Sequence, residues 1–307
     1  MASGTHKAVY AALAGNLAIA VTKGIAAALT GSSAMLTEAL HSLIDTGNEG
    51  LLLIGLRRAS RPPDETHPFG YGLEVYFWAF VVALLIFSLG GGLAVYQGIQ
   101  HIRHPPDITQ PWINFVVLGL AFVFESFSFR VAWREFAKAR RDVPVLTAIS
   151  RSKDPALFSV LLEDGAALVG LVVAALGLAA TLWLDWPWAD GAASVLIGLV
   201  LIIVAVFMAN ETRSLMSGEA AAPRTVAAVR ALLEADPAIE KVHEVMTMHL
   251  GPSAILLAIT LDYRDDLPIR EAEEVTARFS AQIRKLDSRI GRIFVRSAHS
   301  LSGAGAI

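Results

Sequence analysis

Residues 34–56 read AMLTEALHSLIDTGNEGLLLIGL. The stretch has the length of a membrane-spanning helix, about 20 mostly apolar residues, yet it carries Glu38, His41, Asp45, Asn48 and Glu49. Ionisable groups inside a bilayer cost about 2.5–3.5 kcal/mol each on insertion scales, so they face a cavity or a partner and usually serve function. His41 and Asp45 are four residues apart and stack on one helical face, with Glu38 and Glu49 on roughly the same face. An imidazole and a carboxylate one turn apart can share one metal ion.

Five more apolar runs lie outside this segment, roughly Val9–Thr30, Val75–Gln100, Trp112–Trp133, Ala156–Leu182 and Pro187–Ala209. Together they predict a six-helix transmembrane bundle. Hydrophobic residues make up 54% of the 307-residue chain and charged residues only 17%, against about 25% charged in soluble domains. A net charge of -3 supplies no basic field for nucleic acid. Cysteine is absent, which excludes thiolate metal sites, disulfides and cysteine nucleophiles. The N-terminal residues have no long basic region or cleavage site, so the first apolar run reads as a retained spanning helix.

Charge in the connections sets the expected orientation. Arg57, Arg58 and Arg61 follow the second run, and Arg134, Lys138, Arg140, Arg141, Arg151 and Lys153 lie between the fourth and fifth. The turns after the first and fifth runs have no Lys or Arg, and the one after the third has only Arg103. The positive-inside rule places both termini in the cytosol. Trp112, Trp183, Trp186 and Trp188 then fall at the opposite interface.

From about Gly218 the composition turns soluble. A helix with Val226, Val229 and Leu233 on one face precedes two strands around a Gly251-Pro252 turn. An amphipathic helix with a stripe of Ala272, Val275, Phe279 and Ile283 follows, then a last strand, RIFVRSA. The order α-β-β-α-β predicts a small sheet with helices on one face. The expected division is a transmembrane domain over residues 1–211 and an α+β cytosolic domain over 212–307.

The fifth run contains FSVLLEDGAALVG, with Glu163 and Asp164 far from either end. Counted from the basic ends, Asp45 and Asp164 both fall near mid-membrane, and Gly165, Ala166 and Ala167 allow close helix packing. His41, Asp45 and Asp164 converge if the second and fifth helices touch. Glu163 points about 100° away from Asp164, so it is either a ligand or an outer partner of one. Glu38 and Glu49 read as outer partners of the ligands, gating groups or helix contacts, with an accessory metal role as the alternative. Glu125, in the fourth run, is open to three roles: proton relay, metal contact, or pairing with Lys23.

The run NLAIAVTKGIAAALTGSSAMLTEALHSLIDTGNE (residues 16–49), the HPFGYG of residues 67–72 and the LMSGEAA of residues 215–221 together resemble the cation diffusion facilitator family, across nearly the whole chain. LLEDGAA and the glutamate of the fourth run are most similar to the branch containing the mitochondrial zinc transporter. The resemblance implies a homodimer with six spanning helices and a ferredoxin-like cytosolic domain, exchanging Zn²⁺ or a related ion for protons by alternating access. It maps the family's transport ligands onto His41, Asp45 and Asp164, while the fourth position falls on Val160, which cannot bind metal. Glu163 is the natural substitute, with Glu125 or water as alternatives. Asp64 and His67 match an accessory loop site, with Tyr71 where a further histidine often stands. His243, His249 and His299 are the candidates for a metal site in the soluble domain.

The expected function is export of a divalent cation from the cytosol in exchange for H⁺, across a bacterial inner (plasma) membrane. Nitrogen and oxygen ligands suit Zn²⁺, and Mn²⁺, Fe²⁺ and Co²⁺ accept similar ones. No enzyme chemistry or resident cofactor is expected. A metalloprotease would need His-Glu-x-x-His, whereas His243 is followed by Glu-Val-Met-Thr. The rival reading is a membrane metal sensor or scaffold that does not transport, favoured by the missing fourth ligand.

Overall fold

The computed structural model describes residues 2–30, 33–105, 111–139 and 143–298, giving the backbone alone for 2, 3, 27, 29, 30, 33–38, 40, 41 and 139. The chain divides into two compact units, one of residues 1–60 and 74–213, the other of 61–73 and 214–307.

The first unit is helical. It comprises α1 (Ala2–Thr30), α2 (Ser33–Ala59), α3 (Glu74–Leu85), a π-helical segment (Ile86–Gly92), α4 (Leu93–Arg103), α5 (Pro111–Ala139), α6 (Val145–Ser150), α7 (Pro155–Trp183) and α8 (Ala189–Met216). Among the described residues, five helical stretches are long and apolar enough to cross a membrane: Gly4–Ala26, Glu74–Arg103, Pro111–Lys138, Pro155–Trp183 and Ala189–Met216. The remaining expected span, α2, is 27 residues long; its length suffices at 1.5 Å per residue, and its acidic groups and Arg57–Arg58 end make it more polar than the five. The third predicted span is continuous through α3, the π segment and α4.

This unit inverts the usual soluble arrangement. Phe127 and Ile203 are 65% and 67% exposed, and Val123, Leu176 and Trp183 are also exposed, while Glu49, Glu125, Glu163 and Asp164 are buried. Apolar outside and ionisable inside is what a bilayer demands of an integral membrane protein. The ends of α7 are set locally. Asp154 caps its first turn by accepting from the Leu157 N–H at 3.3 Å, and Pro155 follows at the first helical position. The Thr5 hydroxyl of α1 donates to the same carboxylate. At the other end Asp185 takes φ 55° and closes the turn before α8.

Four glycines bring two helices into backbone contact. A Cβ on Gly98 would lie 2.7 Å from the Gly191 carbonyl oxygen, and one on Gly191 would lie 2.8 Å from that of Gly98. Gly91 and Gly198 meet in the same way, at 3.0 and 2.8 Å. Both pairs are spaced by seven residues, two helical turns, so α4 with its π segment runs antiparallel to α8 along one small-residue seam. Without a hydrophobic drive between helices in lipid, such close approach supplies the packing.

The second unit is α+β. It holds α9 (Pro223–Glu234), β1 (Ile239–Gly251), β2 (Ala254–Tyr263), α10 (Ile269–Leu286) and β3 (Ile290–Ser297), in a three-stranded sheet of order β1-β2-β3. β1 and β2 form an antiparallel hairpin, and β2 pairs with β3 in parallel across the α10 crossover. Ile255, Leu257, Ile259 and Leu261 alternate along β2 into the core, against Val229 and Leu233 of α9 and Val275, Phe279 and Ile283 of α10. Gly251 turns the hairpin at φ 150°, a conformation that disfavours a side chain.

Residues 61–73 pack within this unit. Phe69 lies edge-on to Phe294 with centroids 6.4 Å apart, the Arg292 guanidinium sits 5.1 Å from its ring centre, and the Gly72 backbone abuts the Leu250 carbonyl. Asp64 organises the loop by accepting from the Thr66 and His67 amides at 3.0 and 2.7 Å, the Thr66 hydroxyl at 2.8 Å and the Tyr71 hydroxyl at 2.6 Å. These donors, Tyr71 foremost, hold the Asp64 carboxyl well below the usual carboxylate range.

Two outcomes follow from this packing. Gly98→Val forces the α4–α8 seam apart and costs on the order of 1–3 kcal/mol, so detergent-solubilised protein melts several degrees lower, whereas Gly24→Ala, with nothing within 4 Å of its added Cβ, leaves the midpoint unchanged or raised. Because Asp64 is depressed, its ionised form stabilises the loop at every pH above the ordinary value near 4, and that contribution is lost only as pH falls through the depressed value. Carboxyl NMR should therefore find Asp64 ionised at about pH 3, and Tyr71→Phe should move its midpoint upward.

Candidate metal-transport site

α1, α2, α5 and α7 pack together, and each brings polar groups inward. α2 contributes Asp45, Asn48 and Glu49; α7 contributes Ser159, Glu163 and Asp164; α5 contributes Glu125 and Ser128; α1 contributes Asn16 and Lys23. Asn48, Glu49, Glu125, Ser128, Ser159, Glu163 and Asp164 are all buried, and Asp45 is half-buried.

The hydrogen bonds sort these groups. Asn16 Nδ2 donates to Glu49 Oε1 at 2.9 Å, tying α1 to α2. Asn48 Nδ2 donates to Glu163 Oε1 at 3.1 Å, tying α2 to α7. Ser128 Oγ donates to Asp164 Oδ2 at 2.6 Å, tying α5 to α7. Lys23 Nζ donates to Ser42 Oγ at 3.0 Å. The second oxygens of Glu49 and Glu163 are buried and make no hydrogen bond among the described residues. Glu163 lies within electrostatic reach of Asp45, Asp164 and Glu125, and Glu125 within reach of Asp164, Asp45 and Lys23. Five carboxyl groups thus share one low-dielectric interior, where their mutual repulsion is little screened. A divalent cation relieves that repulsion, and so do protons.

The expected residues are distributed as follows. Asp45, Glu49, Glu125, Glu163 and Asp164 occupy one region of the unit. Glu163 and Asp164, adjacent in sequence, point to different helices: Glu163 meets α2, and Asp164 meets α5 through Ser128. Val160 is fully buried beside them. The side chains of Glu38 and His41, and the whole of His299, lie outside the described residues. Among the described residues no three His, Asp or Glu side chains are grouped so as to hold a metal ion.

Other sequence candidates have protein partners. Asp64 is saturated by its own loop, and His67 Nδ1 lies 3.0 Å from the Thr66 hydroxyl. In the second unit His243 Nε2 is 2.9 Å from Asp262 Oδ2 across the hairpin, and buried His249 has Nδ1 3.3 Å from the Gly251 carbonyl oxygen. The two imidazoles are engaged separately.

Asn16, Ser128 and Ser159 were not among the expected groups, and Asn48 had no role. A signal existed for Asn16: it stands seven residues before Lys23, so the two polar groups of an apolar helix share a face. Ser128 and Ser159 are too common in spanning helices for sequence to single them out.

Comparison with known proteins gives this interior a context. Residues 9–217 match the family model described as the cation efflux transmembrane domain. The chain is 33% identical over 236 residues to a mitochondrial proton-coupled zinc antiporter, SLC30A9, of Xenopus laevis, covering 76% of this chain and 42% of that protein. It is 29% identical over 252 residues to metal tolerance protein C4 of Arabidopsis thaliana, covering 80% of this chain and 54% of that one. The cation-efflux pump FieF of Shigella flexneri is 25% identical over 249 residues, covering 80% and 77%. The chain thus spans about half the length of the antiporter and the tolerance protein. The family match extends over more than half of the chain and takes in the whole carboxylate-lined interior, and this protein belongs to the cation diffusion facilitator family, near the mitochondrial zinc branch.

Proposed function

We propose that the chain carries a divalent metal ion, Zn²⁺ foremost, across the membrane in exchange for protons. The observation that carries this reading is the burial of Glu49, Glu125, Glu163 and Asp164 beside Asp45 inside a family-matched spanning unit. His41, Asp45 and Asp164 hold the ion, and Glu163 replaces the ligand lost at Val160. Metal ligands coordinate in deprotonated form, so loading releases protons and unloading takes them up. That exchange keeps the interior near neutrality in both states, which a bilayer requires. Relatives named as a proton-coupled zinc antiporter and a cation-efflux pump support the same reaction class.

Several finer points belong to the same reading. α2 is the sixth span, its polar face turned to the interior. The transmembrane domain covers residues 1–211, and residues 212–307 form a ferredoxin-like domain through which two copies pair as a homodimer. The basic connections place both termini in the cytosol and make the reaction an export. The membrane is a bacterial inner membrane, although the zinc antiporter relatives carry a mitochondrial name. Asp64, His67, His243 and His249 act structurally unless metal competes for them.

Val160 favours one rival, a sensor that binds metal without moving it. Zn²⁺ uptake into sealed proteoliposomes with an imposed pH gradient separates the two. Asp45→Ala and Asp164→Ala should reduce uptake to background, and dissipating the gradient should do the same to the unaltered chain. Zn²⁺ binding without uptake selects the sensor. Ser128→Ala removes the group that orients Asp164, and loss of such an outer partner costs about 10–100-fold in metal affinity. Its zinc KM should rise by that order, with a smaller change in kcat.

A further inference from the structure

Among the described residues, four buried oxygen atoms of α2 and α7 lack a protein hydrogen bond: Asn48 Oδ1, Glu49 Oε2, Ser159 Oγ and Glu163 Oε2. Buried polar atoms are nearly always satisfied, so four orphans on two facing helices need a reason. The two carboxylates are fixed in the same manner. Each has its Oε1 pinned by an amide, Glu49 by Asn16 and Glu163 by Asn48. Each then presents Oε2 without a partner, and the two charges lie within electrostatic reach of one another. Using Nδ2 to hold Glu163 leaves Asn48 Oδ1 as a further acceptor. Ser159 stands four residues before Glu163, on the same face of α7.

The position of the group is informative. Glu49 lies one turn beyond Asp45 toward the end of α2, about 6 Å along the axis. Ser159 lies one turn before Glu163 toward the start of α7. Those two helix ends are on one side of the unit: Tyr76, just after the connection that follows α2, approaches the Lys153 carbonyl, just before α7, at 3.4 Å. The four oxygens therefore extend the interior toward the side that carries Arg57, Arg58 and Lys153.

We propose that Asn48, Glu49, Ser159 and Glu163 form a second, oxygen-only site for a divalent cation, one helical turn from Asp45 on the basic side. Two carboxylates match the charge of a divalent ion, and an amide carbonyl and a hydroxyl complete a hard ligand set that suits Mn²⁺ or Mg²⁺. The inference rests on the reading of Asp45 and Asp164 as the main site. The ion held here waits one step from that site, and Glu163 is common to both.

The test is Mn²⁺ titration of the detergent-solubilised full chain, with free Mn²⁺ read by electron paramagnetic resonance. Zinc uptake is measured on the same preparations. Glu49→Gln should bind one Mn²⁺ fewer per chain than the unaltered protein, and Ser159→Ala should weaken that ion about tenfold. The ion sensitive to Glu49→Gln should persist in Asp45→Ala/Asp164→Ala. Size-exclusion profiles identify any variant that fails to fold, and Ser159→Ala serves if Glu49→Gln does. Identical titrations for Glu49→Gln, Ser159→Ala and the unaltered chain overturn the second site, as does an Asp45→Ala/Asp164→Ala chain with no Mn²⁺ sensitive to Glu49→Gln. Failure of the transport reading looks different: Asp45→Ala/Asp164→Ala would then take up zinc at the unaltered rate, whatever the titrations give.

Discussion

Carboxyl groups held away from water beside one another are the constraint on which the rest of the spanning unit depends. Glu49, Glu125, Glu163 and Asp164 are buried. Asn16, Asn48 and Ser128 donate to one oxygen each of Glu49, Glu163 and Asp164, from three different helices. The same three bonds also tie α1 to α2, α2 to α7 and α5 to α7. Polar satisfaction and helix registration are one set of contacts here, which is how a lipid-facing exterior of Phe, Val and Leu can surround an ionisable interior.

The other spanning pair is built on an opposite principle. The π segment and α4 meet α8 through Gly91, Gly98, Gly191 and Gly198, each set against a backbone carbonyl and a Val or Ile side chain of the opposite helix. A seam of that kind packs tightly but has no polar specificity, so the pair is suited to act as one body. The group of α1, α2, α5 and α7 depends instead on hydrogen bonds whose acceptors are carboxyl groups. In the proposed transport reading, cation binding or protonation acts directly on those acceptors, so a change of ligand state is also a change in what holds that group together.

Much of this was legible in the sequence. Five of the six expected spans, the tryptophans near their ends and the α-β-β-α-β order of the second unit follow from periodicity and turn residues, because each rests on local rules. The stripe Val275, Phe279 and Ile283 reappears as part of the core. Asp45, Glu49, Glu163 and Asp164 stood out as costly groups in apolar runs. What sequence could not supply was direction. Glu163 and Asp164 differ by one position and bond to different helices, which depends on how α7 is rotated against its neighbours. Asp64 stood out only through the family resemblance, and its four acceptor bonds within the loop are not readable from the sequence. The π-helical segment at Ile86–Gly92 has no signal beyond its three glycines.

The central claim is that metal and protons occupy the same carboxyl groups in turn. Recording internal pH and internal zinc together in proteoliposomes tests it most directly. The account predicts that zinc entry drives protons out in a fixed ratio, and that both movements vanish together when Asp45 and Asp164 are removed. Zinc entry with no opposing proton movement, or a proton movement that survives the loss of both aspartates, would contradict it.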